Sequence, residues 1–265
     1  MTAPDWLTSA PIAHRGLHDE GGARPENSLA AFAHAVSEEV PFEFDVQLSR
    51  DGVPVVVHDA DVARTTSGAG LVCELDWARL RQLRIGESGE PIPRLDDVLD
   101  AVDGKVPMVV DVRRWGFDRS SALERAVADR LRGYSGAAVV QSFDPFAVAR
   151  LRRLLPDRAA GQASGTLPSA GPLKTVLGRT MLTNAVVRPD FLTYELSALP
   201  DPFVSFWRGP QRPVLAYTAH SPAEAERAAR LADGCFFSGF TPEARVCRPE
   251  PRRRRACRGP GTPSR

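Results

Sequence analysis

The sequence predicts an α/β protein closed into a TIM (β/α)8 barrel, with a short hairpin after the second strand. Three observations predict it. Strand and helix signals alternate along residues 10–246, and such alternation argues for a mostly parallel sheet covered by helices. The 265 residues accommodate about eight βα units, which need about 250 residues. The chemically capable polar residues sit at the ends of several different strands, as barrel active sites require. A doubly wound sheet gives a similar alternation, and the last two observations favour the barrel.

Residues 1–9 read as a lead-in. They lack a charged segment followed by an apolar one, and no run in the chain approaches about 20 apolar residues, so neither a secretion signal nor a membrane span is expected. The cytoplasm is the expected compartment. A composition of 43% hydrophobic and 25% charged residues suits a soluble globular protein with a sizeable core. Cys73, Cys235, Cys247 and Cys257 show no C-x-x-C spacing, so neither a zinc site nor a disulfide framework is indicated, and reduced, unpaired thiols are expected.

The first strand, Pro11-Ile12-Ala13, ends in His14-Arg15-Gly16. An imidazole and a guanidinium thus emerge together at a strand end, where glycine permits a sharp exit. The planar fork of Arg15 suits phosphate or carboxylate. Arg24-Pro25-Glu26-Asn27-Ser28 then reads as a capped helix start before the periodic Leu29, Phe32 and Val36.

In the second strand, Phe42-Glu43-Phe44-Asp45-Val46, period-two alternation puts both carboxylates on one face and the apolar side chains on the other. By itself this fits an amphipathic strand with a solvated acidic face. Adjacent like charges nevertheless raise one pKa unless a cation sits between them, which points to a metal or a shared proton. Asp51-Gly52 is a hairpin turn signal, and Val53-Pro54-Val55-Val56-Val57 is a β-branched run whose proline suits an edge strand. It returns His58 and Asp59 towards the acids.

Glu74 to Leu83 reads as helical, and Leu95, Val98, Leu99 and Val102 mark a clear amphipathic helix. The run 106–111 is a buried strand. Ser121 and Glu124 form a capping box for a helix ended by Gly133, and 137–141 is another strand. Asp144-Pro145 starts a helix that Pro156 terminates. Residues 161–172, rich in Gly, Ser and Pro, read as a loop. A short helix near Leu173–Met181, strands at 190–194 and 213–217, a helix opened by Ser221-Pro222 and a last strand at 235–238 complete the barrel.

In Val109-Val110-Asp111-Val112-Arg113, alternation again puts two polar groups on one face, so across a barrel mouth Asp111 meets Glu43 and Asp45. An all-oxygen set of three carboxylates suits magnesium, calcium or manganese over zinc. His18, His34 and His220 read as surface groups. The segment 247–265 is basic and Pro-rich, with seven arginines and one glutamate from Arg248 onward, about +6, which leaves about −5 for the body out of the overall +1. It is expected to be a solvated disordered tail.

His14-Arg15-Gly16, Pro25-Glu26-Asn27-Ser28, Glu43-Phe44-Asp45-Val46, Asp51-Gly52, Val56-Val57-His58-Asp59 and Arg64-Thr65-Thr66 together resemble the glycerophosphodiester phosphodiesterase family. Weaker similarity continues through Ile92-Pro93-Arg94-Leu95, Ser142-Phe143-Asp144-Pro145 and Ala216-Tyr217-Thr218. The resemblance implies the same barrel and a metal-dependent hydrolysis of a glycerophosphodiester to glycerol 3-phosphate and an alcohol. It implies catalysis by His14 and His58, phosphate binding by Arg15 and Arg113, and a divalent cation on Glu43, Asp45 and Asp111, with the base and acid roles of the histidines left open. A small-molecule substrate and no nucleic-acid partner are expected.

Asp111 and Arg113 stand where the family pattern has Glu and Lys, Ser238-Gly239 replaces a Thr-Asp pair, and Tyr217 stands in place of Trp. The chain has only Lys105 and Lys174 against many arginines, so compositional drift is the plain explanation for Arg113. Two other readings follow. One is a catalytically weak barrel that binds a phosphorylated ligand. The other is a lysophospholipase D-like phosphodiesterase with an apolar entrance near Phe203, Phe206 and Trp207.

Overall fold

The structure, a computed structural model, describes residues 2–19, 21–115, 120–166 and 172–242. Its strands are β1 (Ile12–Ala13), β2 (Phe42–Leu48), β3 (Pro54–Val56), β4 (Met108–Val112), β5 (Ala138–Ser142), β6 (Ala160–Ser164), β7 (Phe191–Glu195), β8 (Val214–Ala219) and β9 (Gly234–Phe237). All but β3 are parallel, and β1 pairs with both β2 and β9. The eight parallel strands therefore form a closed ring, a TIM barrel. β1 meets β2 only at Ala13 and Phe42, which leaves the far half of β2 with an open edge. The antiparallel β3 covers that edge through Val46–Val56, Gln47–Val55 and Leu48–Pro54. The hairpin expected from Asp51-Gly52 thus has a structural purpose, because an unpaired edge is a site for unwanted pairing.

The helices are α1 (Trp6–Ser9), α2 (Leu29–Ser37), α3 (Trp77–Leu80), α4 (Leu95–Val102), α5 (Ala122–Arg132), α6 (Pro145–Leu154), α7 (Pro172–Thr180), α8 (Asn184–Val187), α9 (Pro202–Trp207) and α10 (Pro222–Leu231). The outward residues of β2 and β4, Phe42, Phe44, Val46, Met108, Val110 and Val112, pack under α2, α4, α5 and α6 in the largest apolar cluster. A second layer fills the lower barrel: Ile12, Val109, Val139, Phe191, Leu215 and Phe236, with Leu7 of α1 joining from below. The lead-in therefore contributes a buried plug. Among the described residues no helix is long and apolar enough to cross a membrane.

Four local readings change. The segment read as a loop from 161 contains β6, hidden because Ala-Gly-Gln-Ala-Ser carries none of the β-branched or aromatic residues that mark strands. Small residues are needed there, since a Cβ at Gly161 would lie 2.2 Å from the ring of the fully buried Phe191. Gly161→Ala is accordingly expected to cost about 1–3 kcal/mol of stability by overpacking, read as a lower urea midpoint at unchanged slope.

The helix expected over 74–83 shrinks to α3, with the preceding residues in a 3₁₀ turn. The capping box at Ser121 does not form: Ser121 makes no side-chain cap, and Glu124 is fully buried, accepting from Arg114 at 2.6 Å and Arg150 at 3.1 Å. Two guanidiniums outcompete one backbone N–H for that carboxylate. Cys73 is free and exposed, but Cys235 is disulfide-bonded, so unpaired thiols are not the rule. The expected basic tail lies outside the described residues.

Candidate active site

The site sits at the C-terminal ends of the strands, where inward-pointing polar residues replace the apolar filling of the lower barrel. On β2, Glu43, Asp45 and Gln47 share the inner face, and Asp45 stands in register with Asp111 of β4. Glu43, Asp45 and Asp111 are all buried, and one carboxylate oxygen from each lies within 4.8 Å of the others. The alternation read from the sequence therefore brings these three acids together.

The turn after β1 delivers His14 and Arg15. Arg15 and Gly16 both take left-handed backbone conformations, φ 60° and 84°, and this turns the Arg15 N–H onto Glu43 Oε2 at 3.0 Å. A Cβ at Gly16 would also meet Ala31 and Phe32 at 2.9 Å. Glycine is required on both counts. His14 Nε2 lies 3.9 Å from Glu43 Oε2. Ser28 caps α2 by accepting from the Ala31 N–H at 3.1 Å, and this seats the preceding Glu26 and Asn27. Asn27 grips Asp45 twice: its Nδ2 donates to Asp45 Oδ2 at 2.9 Å, and its Oδ1 accepts from the Asp45 N–H at 3.2 Å.

β3 returns His58 to the mouth. Gln47 holds that return by donating to the carbonyls of Val57, His58 and Asp59 at 2.7–3.1 Å. His58 Nδ1 lies 2.5 Å from Asp59 Oδ1, and Asp59 pairs in turn with Arg64. Arg64 also donates to Glu26 at 2.7 Å, Glu26 accepts from Arg15 at 3.0 Å, and Arg15 Nε lies 3.5 Å from Asp45. Asp45 faces Arg113 Nε at 3.1 Å, and the Arg113 guanidinium touches His58 Nε2. Seven side chains thus form a closed circuit in which three carboxylates alternate with three guanidiniums and His58 closes the ring. Arginine has no acceptor atom, so His58 Nε2 presents its lone pair to Arg113 and its Nδ1–H points to Asp59.

Arg113 gains contacts that lysine would lack. Its guanidinium carbon lies 5.1 Å from the Phe143 ring centroid and 5.7 Å from that of Trp115, and Phe143 is held edge-on by Tyr217. A planar, weakly hydrated guanidinium stacks on such surfaces far better than an ammonium, so the aromatic setting gives Arg113 a structural reason beyond compositional drift. Gln141 donates to Asp111 Oδ2 at 3.3 Å and accepts from Thr193 at 2.8 Å. These partners escaped the sequence reading, although Gln141 continues the inward period-two positions of β5 and carries that signal. His18, read as a surface group, is half-buried and contacts the Ser238 hydroxyl at 3.0 Å.

The charges are uneven in consequence. Burial pushes the Glu43 carboxyl well above its usual range, reinforced by Asp45 and Asp111. Burial opposes ionisation of Asp45 too, yet Arg113, His58 and Arg15 hold it well below the usual carboxylate range. Asp111 is pushed up to about 7 by burial and Asp45, against the pull of Arg113. Burial lowers both imidazoles, His14 strongly, with Arg15 acting in the same direction on it, while Asp45 opposes the shift at His58.

The donor set fits a hard divalent cation. All the converging atoms are carboxylate oxygens, and Asp111 Oδ1 is buried without a hydrogen-bond partner. Between about pH 4 and pH 7 the folded chain holds a proton on Asp111 that the unfolded chain releases, so this group makes stability fall as pH rises, and the upward shift of Glu43 acts in the same direction. Without divalent ions, the Tm is expected to drop between about pH 5 and pH 8, and by less in Asp111→Asn. Added magnesium is expected to raise Tm most at the higher pH, as thermal unfolding followed by circular dichroism would reveal.

Comparison with known proteins gives the family. Residues 14–238 match the model of the Glycerophosphoryl diester phosphodiesterase family. A putative glycerophosphodiester phosphodiesterase, YhdW of Bacillus subtilis, is 36% identical over 154 residues, 55% of this chain and 61% of its own length. The chain thus spans about three fifths of that relative. A probable glycerophosphodiester phosphodiesterase 1 of Mycobacterium tuberculosis is 36% identical over 200 residues, 64% of this chain and 69% of its own. The structure of an Oleispira antarctica phosphodiesterase, solved with the product sn-glycerol-3-phosphate, superposes with a TM-score of 0.68 at 25% identity, covering 87% of this chain and 93% of that one. With its motifs inside the matched region and its barrel shared with the Oleispira structure, the chain belongs to the glycerophosphoryl diester phosphodiesterase family.

Proposed function

We propose that the chain hydrolyses a glycerophosphodiester to glycerol 3-phosphate and an alcohol. The observation that carries this reading is the convergence of three buried carboxylates within 4.8 Å, ringed by two guanidiniums and two imidazoles at the mouth of a family barrel. The sn-glycerol-3-phosphate bound to the Oleispira phosphodiesterase supports the substrate class.

Glu43, Asp45 and Asp111 would hold a divalent cation, with magnesium or calcium first and manganese third. Bound there, such an ion supplies charge neutralisation at phosphoryl oxygens. The chain's own residues do the rest. Arg15 and Arg113 orient the phosphate and offset its charge, Arg113 being braced by Phe143 and Trp115. His14 lies beside Glu43 and His58 beside Arg113, and burial, which lowers both pKa values, leaves the imidazole that acts as base free to accept a proton near neutral pH. One, unprotonated, takes the proton of the attacking hydroxyl or water, and the other, entering the step as the imidazolium, gives its proton to the leaving alcohol oxygen. Asp59 steadies His58 through Nδ1.

The test is release of glycerol 3-phosphate from glycerophosphocholine and glycerophosphoethanolamine, after chelation and then with each of the three ions restored. Metal-dependent release that disappears in His14→Ala supports the reading. The weak-barrel alternative draws on Arg113, which faces Asp45 and Asp111 from 3.1 Å and 3.8 Å and competes with a metal for them. Absence of release with any ion, together with release by the Asp111→Glu/Arg113→Lys variant, would favour that alternative.

A further inference from the structure

Six of the nine large apolar side chains exposed among the described residues fall between residues 176 and 206: Val176, Leu177, Leu182, Val186, Phe203 and Phe206. Five of them ride on three short helices, α7, α8 and α9, and Leu182 lies in the turn between α7 and α8. α7 packs on α9, and the Trp207 Nε1–H donates to the Thr180 carbonyl at 2.9 Å. Val186 is 86% exposed and Phe206 75%. Single exposed apolar residues are ordinary, but a concentration of this kind marks a contact surface.

Beside it opens a cavity of about 530 Å³, lined by Phe206, Trp207, Arg152, Arg188, Arg208 and Arg212 among others. Asp190 offsets Arg152 at 2.6 Å, and Asp233 offsets Arg208. The other two arginines keep their charge. Among the described residues the Arg212 guanidinium donates to the carbonyls of Pro189 and Trp207 and has no ion pair, and Arg188 is exposed, likewise with no ion pair among them. Apolar side chains therefore border two uncompensated cations.

We infer that this face docks on an anionic phospholipid bilayer, with Val186 and Phe206 entering the acyl boundary and Arg188 and Arg212 meeting headgroup phosphates. Apolar residues beside uncompensated arginines are the composition that binds such an interface. A second copy is a poorer occupant, because a two-fold contact would bring Arg188 and Arg212 up against themselves. α8 and α9 end just before β7 and β8 begin, so Val186, Phe206 and the cavity arginines lie toward the opposite end of the barrel from the candidate active site, whereas α7 is tied to the C-terminal end of β6 by the Ser164 hydroxyl, which donates to the Gly178 carbonyl at 2.6 Å. The inference stands whatever the site hydrolyses.

The test is co-sedimentation of the full chain with vesicles of phosphatidylcholine alone or mixed with phosphatidylglycerol. Sedimentation is expected with the mixed vesicles only. Arg188→Glu should weaken partitioning by about fivefold or more, and Val186→Ser/Phe206→Ser should weaken it comparably, with circular dichroism and Tm unchanged. Binding that survives both changes would come from the basic segment 248–265 and would overturn the proposal. So would absence of binding to the mixed vesicles, or a dimer in size-exclusion chromatography that Val186→Ser/Phe206→Ser dissociates.

Discussion

His58→Ala is expected to lower turnover of glycerophosphocholine by about a hundredfold to ten-thousandfold, with little change in stability. The effect is large because Nε2 lies among the charged groups of the mouth, and His14, given the complementary acid or base role, does not replace it. The fold survives because Asp59 remains paired with Arg64, and Gln47 still holds the backbone of the returning loop. His14→Ala is expected to act on the same scale. If turnover persisted after both exchanges, neither imidazole would be the acid or the base. The pH profile separates the two roles, since loss of the base removes the acidic limb of kcat and loss of the acid removes the alkaline limb.

Asp45→Asn is expected to abolish both activity and stabilisation by added magnesium, and to destabilise the chain itself by about 3 kcal/mol or more. Asp45 is the hub of the charge circuit: Arg15, Arg113 and Asn27 all converge on it. Without its charge, two guanidiniums only 15% and 14% exposed lose their common counter-ion. Asparagine keeps the shape, so the loss reports charge. Urea unfolding measured with and without magnesium checks both halves of the expectation. A variant still stabilised by magnesium to the wild-type extent would remove Asp45 from the ligand set.

Much of the site was legible because its residues come from short segments with strong local patterns. The i, i+2 spacing of Glu43 and Asp45, repeated at Asp111 and Arg113, fixes which side chains share a strand face, since the side-chain period of a strand is two. Asp51-Gly52 specifies the hairpin that returns His58. The partners that orient these groups were not legible. Gln141 and Thr193 are 52 residues apart and meet only because β5 and β7 face the same barrel interior. Arg64, which holds Asp59, reaches Glu26 across 38 residues.

The missing strand teaches the same lesson from the opposite side. β6 lacks strand propensity because its small residues answer to Phe191, a neighbour supplied by β7. The sequence by itself determined the barrel, the hairpin and the identities of the acids, histidines and arginines, because periodicity and turn chemistry are local properties of the chain. Only the tertiary structure decided which carboxylates keep their protons and why Arg113 stacks between aromatic rings. It alone also decided which apolar helices are left facing outward, because burial, charge proximity and packing depend on residues that the fold, and not the chain order, makes neighbours.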